Sequence, residues 1–400
     1  MDKLISRQEA LKRILEKWSF TPGTEVLPLA EALGRVPAGE YEAKESIPLV
    51  RASAMDGVAV AAARFAAGTP DTAVWKKGED YVRADTGDDF DDLFDSVIRI
   101  EDVTMLPQGG FRLREGVTVT PGMNVRGSGS SLRKGAKLIE PGLPLRPTDL
   151  AALAMGGWDQ VTVLRRPRIA FLPTGSELIP IGAPMQRGKN YDTNSLMVRL
   201  TLEEMGAECV PFPIVPDIPA ALRNALHQAL EEADVVILNG GSSKGGEDFN
   251  ARLLDSEGEL LFYGVSAVPG RPMGAAILRG KPVINLAGPA LAAFYGLEWC
   301  IRPLVCRWLG LPLPKRVKVK AKLTAPFSGA APMDMLCRME VRRGKDGYSA
   351  TPLQRGGADL PAMLRTNALY VSLVGDRNYA AGDEIEVELL RNIAELPEEE

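Results

Sequence analysis

The sequence predicts a multidomain protein of mixed α/β class: a doubly wound α/β domain, a β-rich domain before it and a small β-barrel after it. Three observations carry that expectation. Between about residues 166 and 313, short apolar runs alternate with helical segments, the pattern of a mainly parallel sheet covered by helices. From about Thr69 to Gly142 the chain is rich in valine, glycine and aspartate and holds short strand-like pieces. From about Pro314 onward, period-two alternation appears in Val317–Lys322, Leu336–Val341, Leu369–Leu373 and Glu384–Leu389, separated by glycine- and aspartate-bearing turns. An N-terminal helical and linking segment, 1–50 with 143–165, completes a four-part division with 51–142, 166–313 and 314–400.

Taken in order, Ser6–Trp18 carries leucine and isoleucine at helical spacing, with Ser6 as N-cap and Glu9 three residues on. Leu29–Leu33 reads as a short helix closed by Gly34. Val58–Val60 reads as a strand entered through the Asp56-Gly57 turn, and Ser96–Ile100, Phe111–Arg114 and Val117–Thr120 as further strands. Pro121–Arg133 is a glycine- and serine-rich loop with Arg126 and Arg133. A helix capped by Thr148 runs to Met155. Then come strands at Ile169–Leu172 and Val235–Leu238, an apolar run at Cys209–Ile214, and helices at Ser195–Met205 and Ala220–Glu232. A strand at Pro282–Leu286 and a mostly helical Leu291–Leu309 follow. Glu395–Glu400 reads as an acidic disordered tail.

Composition narrows the function. Forty-five per cent apolar residues over 400 positions suffice for two to four filled cores. A net charge of −5 with no basic stripe argues against nucleic acid, so an anionic ligand must be held by local geometry. The four cysteines (Cys209, Cys300, Cys306, Cys337) lack CxxC spacing and read as reduced core residues of a cytoplasmic protein. No apolar run is long enough to span a membrane. The single histidine, His227, lies in an alanine- and leucine-rich helix, which argues against histidine catalysis or a multi-histidine metal site.

The stretch Ala233–Asn250, ADVVILNGGSSKGGEDFN, concentrates the chemistry. Its buried strand Val235–Leu238 ends at Asn239, and Gly240, Gly241, Gly245 and Gly246 surround Ser242, Ser243 and Lys244. Glycine lets backbone N–H groups converge, serine adds hydroxyl donors and lysine adds charge, a combination that suits a phosphate. Glu247 and Asp248 could hold a cation beside it. The spacing is not GxxxxGK, so this is no Walker loop. The bland alternative is a solvated βα loop. Glycine loops also follow two other strands, at Gly175 and Gly288, and ligands in such sheets lie at the carboxyl ends of the strands, so the three loops should share one pocket.

The chain resembles the molybdopterin molybdenumtransferases, the family of MoeA and the E domain of gephyrin. The resemblance covers nearly all of it. It is carried by ALGRV (Ala32–Val36), SAMDGVAV (Ser53–Val60), NVRGSG (Asn124–Gly129) and PTGSEL (Pro173–Leu178). Further carriers are YDTNSLM (Tyr191–Met197), GAE…IVPD (Gly206–Asp217), NGGSSKGGEDF (Asn239–Phe249) and PGRPMG (Pro269–Gly274). The resemblance implies insertion of molybdate, or tungstate, into adenylylated molybdopterin with release of AMP. It implies Mg²⁺ as cofactor, a homodimer, and an apo-molybdoenzyme or chaperone that accepts the product. Carried over by motif, Thr174, Gly175, Asp192, Asn194, Gly240, Gly241, Ser243, Lys244 and Arg271 would bind substrate. Asp56, Glu177 and Asp248 would be the acidic catalytic residues, with Glu177 and Asp248 on the metal.

Several positions depart from the family pattern. Ser176 replaces an aspartate, Ser130 and Ser131 stand where two carboxylates are usual, and Arg51-Ala52 replaces Asp-Asn. Lys244 is added, Val268 replaces a lysine, and Arg271 replaces a lysine with a planar fork. Leu286–Ala293, LAGPALAA, lacks an asparagine and a serine. These losses leave a second reading open: a non-catalytic paralogue that binds, stores or carries molybdopterin or the finished cofactor.

Overall fold

The computed structural model describes residues 4–240, 249–345, 347–353 and 364–399. The chain forms two compact units, one of Thr24–Leu164 and the other of Met1–Gly23 with Arg165–Glu400. Helix α1 (Arg7–Lys17) belongs to the larger unit, and the Ser6 hydroxyl accepts from the Glu9 N–H at 3.1 Å, the cap expected from the sequence.

In the smaller unit, β1 (Thr24–Pro28) meets the last strand, β5 (Gln160–Leu164), in an antiparallel pair, so the segment closes on itself. Between them, β2 (Gly57–Val60) is the centre of an antiparallel sheet with β3 (Tyr81–Ala84) and β4 (Ser96–Arg99). Val58, Val60, Trp75, Tyr81, Ile98 and Phe111 form its core. Val117–Thr120 is not a strand. Val119 is buried, so the apolar alternation there reflects packing on the core rather than a ladder. Helix α2 (Pro147–Met155) starts one residue before the expected Thr148. Pro147 needs no N–H at this position, and the Asp149 carboxylate accepts from the Arg146 N–H at 2.8 Å.

The larger unit is built on a six-stranded sheet. Its strands are β6 (Arg168–Pro173), β7 (Glu208–Pro211), β8 (Val235–Asn239), β9 (Glu259–Tyr263), β10 (Gly274–Leu278) and β11 (Lys281–Leu286), in the order β7-β6-β8-β11-β10-β9. The first four are parallel, and β10 and β9 extend the sheet antiparallel. Neither extension was legible: β10 opens Gly-Ala-Ala, residues poor in strand preference, and β9 follows a helix with only Gly258 between.

Helices α4 (Pro219–Glu232) and α5 (Phe249–Glu257) set Leu222, Leu226, Leu230, Leu253 and Leu254 against Leu172, Val236, Leu238 and Val283 of the sheet. Each such leucine contributes roughly 1.5–3 kcal/mol by leaving water. Helix α3 (Thr193–Glu204) packs on β6 and on α6 (Ala290–Gly296). A π-helical turn, Leu297–Ile301, then joins α6 to α7 (Arg302–Leu309).

Five strands close the C-terminal barrel: β12 (Lys318–Leu323), β13 (Asp334–Gly344), β14 (Gly347–Pro352), β15 (Ala368–Ser372) and β16 (Glu384–Leu389). Their order is β13-β14-β12-β16-β15, and β15 pairs back onto β13. The tail is not disordered over its described part. Leu396 is 3% exposed within the barrel core, Arg343 pairs with Glu398 at 2.8 Å, and the Glu399 N–H donates to the Arg343 carbonyl. One leucine among the glutamates supplies enough burial to fix the segment.

Candidate functional site at the strand ends

Strands β6, β8 and β11 are parallel neighbours, and their register sets Pro173 opposite Asn239 and Asn239 opposite Leu286. Their carboxyl ends therefore finish level, and each runs into a glycine. The Gly240 N–H donates to the Leu286 carbonyl at 3.1 Å, and the Thr174 N–H and hydroxyl both donate to the Asn239 carbonyl. Gly240 has φ +118°, and a β-carbon there would stand 2.4 Å from the Thr174 carbonyl oxygen, so only glycine fits. A β-carbon on Gly288 would lie 3.7 Å from the Gly240 α-carbon. The structure thus brings Thr174, Gly240 and Gly288 together at the strand ends.

Asparagine side chains hold this convergence. Asn194, at the start of α3, donates to the Asn239 side-chain oxygen at 2.8 Å and to the Gly288 carbonyl at 2.7 Å. Asn239 in turn donates to the Ala287 carbonyl at 2.9 Å. Asn250, in the first turn of α5, donates to the Gly240 carbonyl at 3.0 Å and to the Asn285 side-chain oxygen at 2.7 Å. Asn239, Asn250 and Asn285 were not singled out from sequence. The available signal was an asparagine inside or at the end of an apolar strand, a buried polar group that must find partners.

Asp192 is buried and caps α3, accepting from the Ser195 N–H at 3.0 Å and the Ser195 hydroxyl at 2.5 Å. The helix therefore begins at Thr193, two residues before the expected Ser195. Ser176 and Asp217 form a reciprocal clasp: the Ser176 N–H donates to the Asp217 carboxylate at 2.9 Å, and the Asp217 N–H donates to the Ser176 hydroxyl at 3.1 Å. The Lys189 ammonium donates to the Ser176 carbonyl at 2.6 Å. Glu177 is exposed, and its carboxylate oxygens lie 2.7 Å from where a β-carbon on Gly175 would stand. Beside this loop opens a cavity of about 680 Å³, walled by Leu178, Ile181, Leu196, Phe212 and Ile214, with Ser176 and Asp192 among its polar lining.

The remaining predicted site residues are distributed differently. Asp56 belongs to the smaller unit. There the Thr86 N–H and hydroxyl donate to its carboxylate at 2.7 and 2.9 Å and hold its pKa below the usual aspartate value. Gly57 beside it is required because a β-carbon would meet the Ile98 carbonyl at 2.0 Å. Arg271 is exposed, and no hydrogen bond or ion pair among the described residues joins it to the strand-end loops. Gly241, Ser243, Lys244 and Asp248 lie outside the described residues. Among the described residues no group of three His, Cys, Asp or Glu side chains could hold a metal ion. Mg²⁺ commonly uses one or two carboxylates with substrate phosphates, and an exposed Glu177 carboxylate beside the glycine loops fits that role. His227 pairs with Glu257 at 2.9 Å between α4 and α5, a helix-layer contact. Among the described residues no helix is long and apolar enough to cross a membrane.

Comparison with known proteins gives these elements a context. Residues 5–157 match the family described as "MoeA N-terminal region (domain I and II)", and residues 170–307 match "Probable molybdopterin binding domain". A protein of Haemophilus influenzae named molybdopterin molybdenumtransferase is 30% identical over 356 residues, covering 85% of this chain and 86% of that protein. Among solved structures, a molybdopterin biosynthesis MoeA protein from Pyrococcus horikosii superposes with a TM-score of 0.79 at 24% identity, over 98% of this chain and 100% of the other. A second, from Pyrococcus horikoshii OT3, gives 0.70 at 26% identity, over 97% and 100%.

Proposed function

Since the chain belongs to the MoeA family of molybdopterin molybdenumtransferases, we propose that it inserts molybdate, or tungstate, into adenylylated molybdopterin with release of AMP. The observation that carries this reading is the convergence of Gly175, Gly240 and Gly288 at the ends of three parallel strands, locked by Asn194 and Asn239. The backbone N–H groups of Thr174, Gly175 and Gly240 are taken up in holding the strand ends together, so this convergence supplies a rigid base with little side-chain bulk, and the glycines that follow Gly240 in the sequence would supply the N–H groups a phosphoanhydride requires.

In this reading the loop after Gly240, with Gly241, Ser243 and Lys244, binds the phosphates, and Thr174 and Asn194 keep the loops in register. Glu177 and Asp248 would hold Mg²⁺, which neutralises charge on the phosphates as the anhydride is cleaved. Asp56, kept ionised by Thr86, would serve the same reaction from a partner subunit in a homodimer. The four-part division stated above, a cytoplasmic location, and an apo-molybdoenzyme or chaperone as acceptor belong to the same proposal.

One observation favours the non-catalytic reading. Neutral Ser176, clasped to Asp217, stands where the family has an aspartate. Reconstitution decides between the two: the protein, adenylylated molybdopterin and molybdate together should activate an apo-molybdoenzyme. Failure to do so, with binding intact, would leave the carrier reading.

A further inference from the structure

We infer that Asn285 is a positioning residue for the proposed reaction, on which this inference rests: it holds the turn that carries Arg271 in register with Gly240. Asn285 is fully buried, one residue before the end of β11. The strand register places Tyr263 of β9 opposite Gly274 of β10, and Gly274 opposite Asn285. A β-carbon on Gly274 would stand 2.3 Å from the Tyr263 ring, so glycine there makes room for the ring. The Asn285 amide nitrogen donates to the Tyr263 hydroxyl at 3.1 Å and to the Pro272 carbonyl at 3.2 Å. Its side-chain oxygen accepts from Asn250, whose amide also donates to the Gly240 carbonyl. The Pro272 and Gly240 carbonyls can only accept, which fixes the orientation of both asparagine amides.

The turn itself is short and pinned. The Met273 N–H donates to the Gly270 carbonyl at 3.0 Å, which leaves Arg271 and Pro272 at the two central positions. The Arg271 carbonyl accepts from the Val265 N–H at 2.9 Å, and the Pro272 carbonyl accepts from Asn285. The Arg271 side chain is exposed, and among the described residues no carboxylate pairs with it. A cation on a fixed backbone loses less freedom to a bound anion than one on a loose loop. Burying amides at the end of a sheet is unfavourable unless their polar atoms are paired. Here the pairing joins two segments that are far apart in sequence. Without the Pro272 bond, the turn keeps its internal bond but loses its tie to Gly240.

Calorimetric titration with inorganic pyrophosphate, on wild type, Arg271→Ala, Asn285→Ala and the double variant, tests the assignment at two salt concentrations. Arg271→Ala should weaken binding about tenfold in the wild-type background and at most about twofold once Asn285 is alanine. Asn285→Ala should also flatten the salt dependence of binding as Arg271→Ala does, because both remove one cation from the bound anion. A merely structural role for Asn285 would weaken binding and leave the effect of Arg271→Ala and the salt dependence intact. Thermal melts show which variants fold. Tyr263→Phe, which removes one partner of Asn285 and no backbone bond, gives a second background, in which Arg271→Ala should cost about threefold. If Arg271→Ala costs its full tenfold in both altered backgrounds, or nothing in the wild type, the inference is overturned and the proposed reaction stands. A wild type that binds no pyrophosphate overturns both.

Discussion

The side-chain amide of Asn194 reaches the side-chain oxygen of Asn239 at 2.8 Å and the carbonyl of Gly288 at 2.7 Å, so one residue of α3 ties the end of β8 to the segment after β11. Both bonds are partly buried, and removing the donor strands two acceptors. Asn194→Ala should cost about 1–3 kcal/mol of unfolding free energy in urea melts and weaken adenylylated molybdopterin binding. Asn194→Asp should be worse, since a carboxylate would face two acceptor oxygens.

Gly240→Ala forces a β-carbon against the Thr174 carbonyl at a backbone angle of φ +118°. The structure must shift, so the substitution should destabilise by about 2 kcal/mol or more and abolish phosphate binding. Equilibrium denaturation together with inorganic phosphate titration measures both.

Much of this crevice was legible because its parts follow local rules. Val235–Leu238 reads as a buried strand, Asn239-Gly240 as its end, and the repeated motif of a strand running into glycine predicts a shared pocket. The asparagine network was not legible, since Asn194, Asn239, Asn250 and Asn285 are far apart in sequence and meet only through strand register. The same reason hid β14: its role appears only when β12 pairs with it in parallel and the barrel closes. The tail was misread because composition outweighed one leucine.

Leu396 packs among Val341, Val387 and the other barrel residues at 3% exposure. Leu396→Ala should lower stability by about 2–5 kcal/mol, seen as a reduced melting temperature. A truly disordered tail would show no change.

Glu298, on the π turn, accepts from Arg302 and Arg316, each at 2.6 Å. Burial alone would raise its pKa, but the two guanidinium groups outweigh that and hold it below the usual glutamate value. Its contribution is therefore fully present above the unfolded carboxyl pKa of about 4.3 and is lost as pH falls through the lower folded value. Glu298→Gln should cost about 1.5–3 kcal/mol at neutral pH, with the gap to wild type narrowing below about pH 4. Urea melts at pH 7 and pH 3.5 compare the two.

The proposed function stands on oxyanion-dependent cleavage of the substrate anhydride at the strand ends. AMP released from protein loaded with adenylylated molybdopterin, measured with magnesium before and after adding molybdate, tests it most directly. One AMP should be released per bound pterin on adding molybdate or tungstate, and far less by Glu177→Gln although that variant still binds substrate. If the wild type binds the adenylylated pterin but releases no AMP with either oxyanion at any magnesium concentration, the claim is wrong.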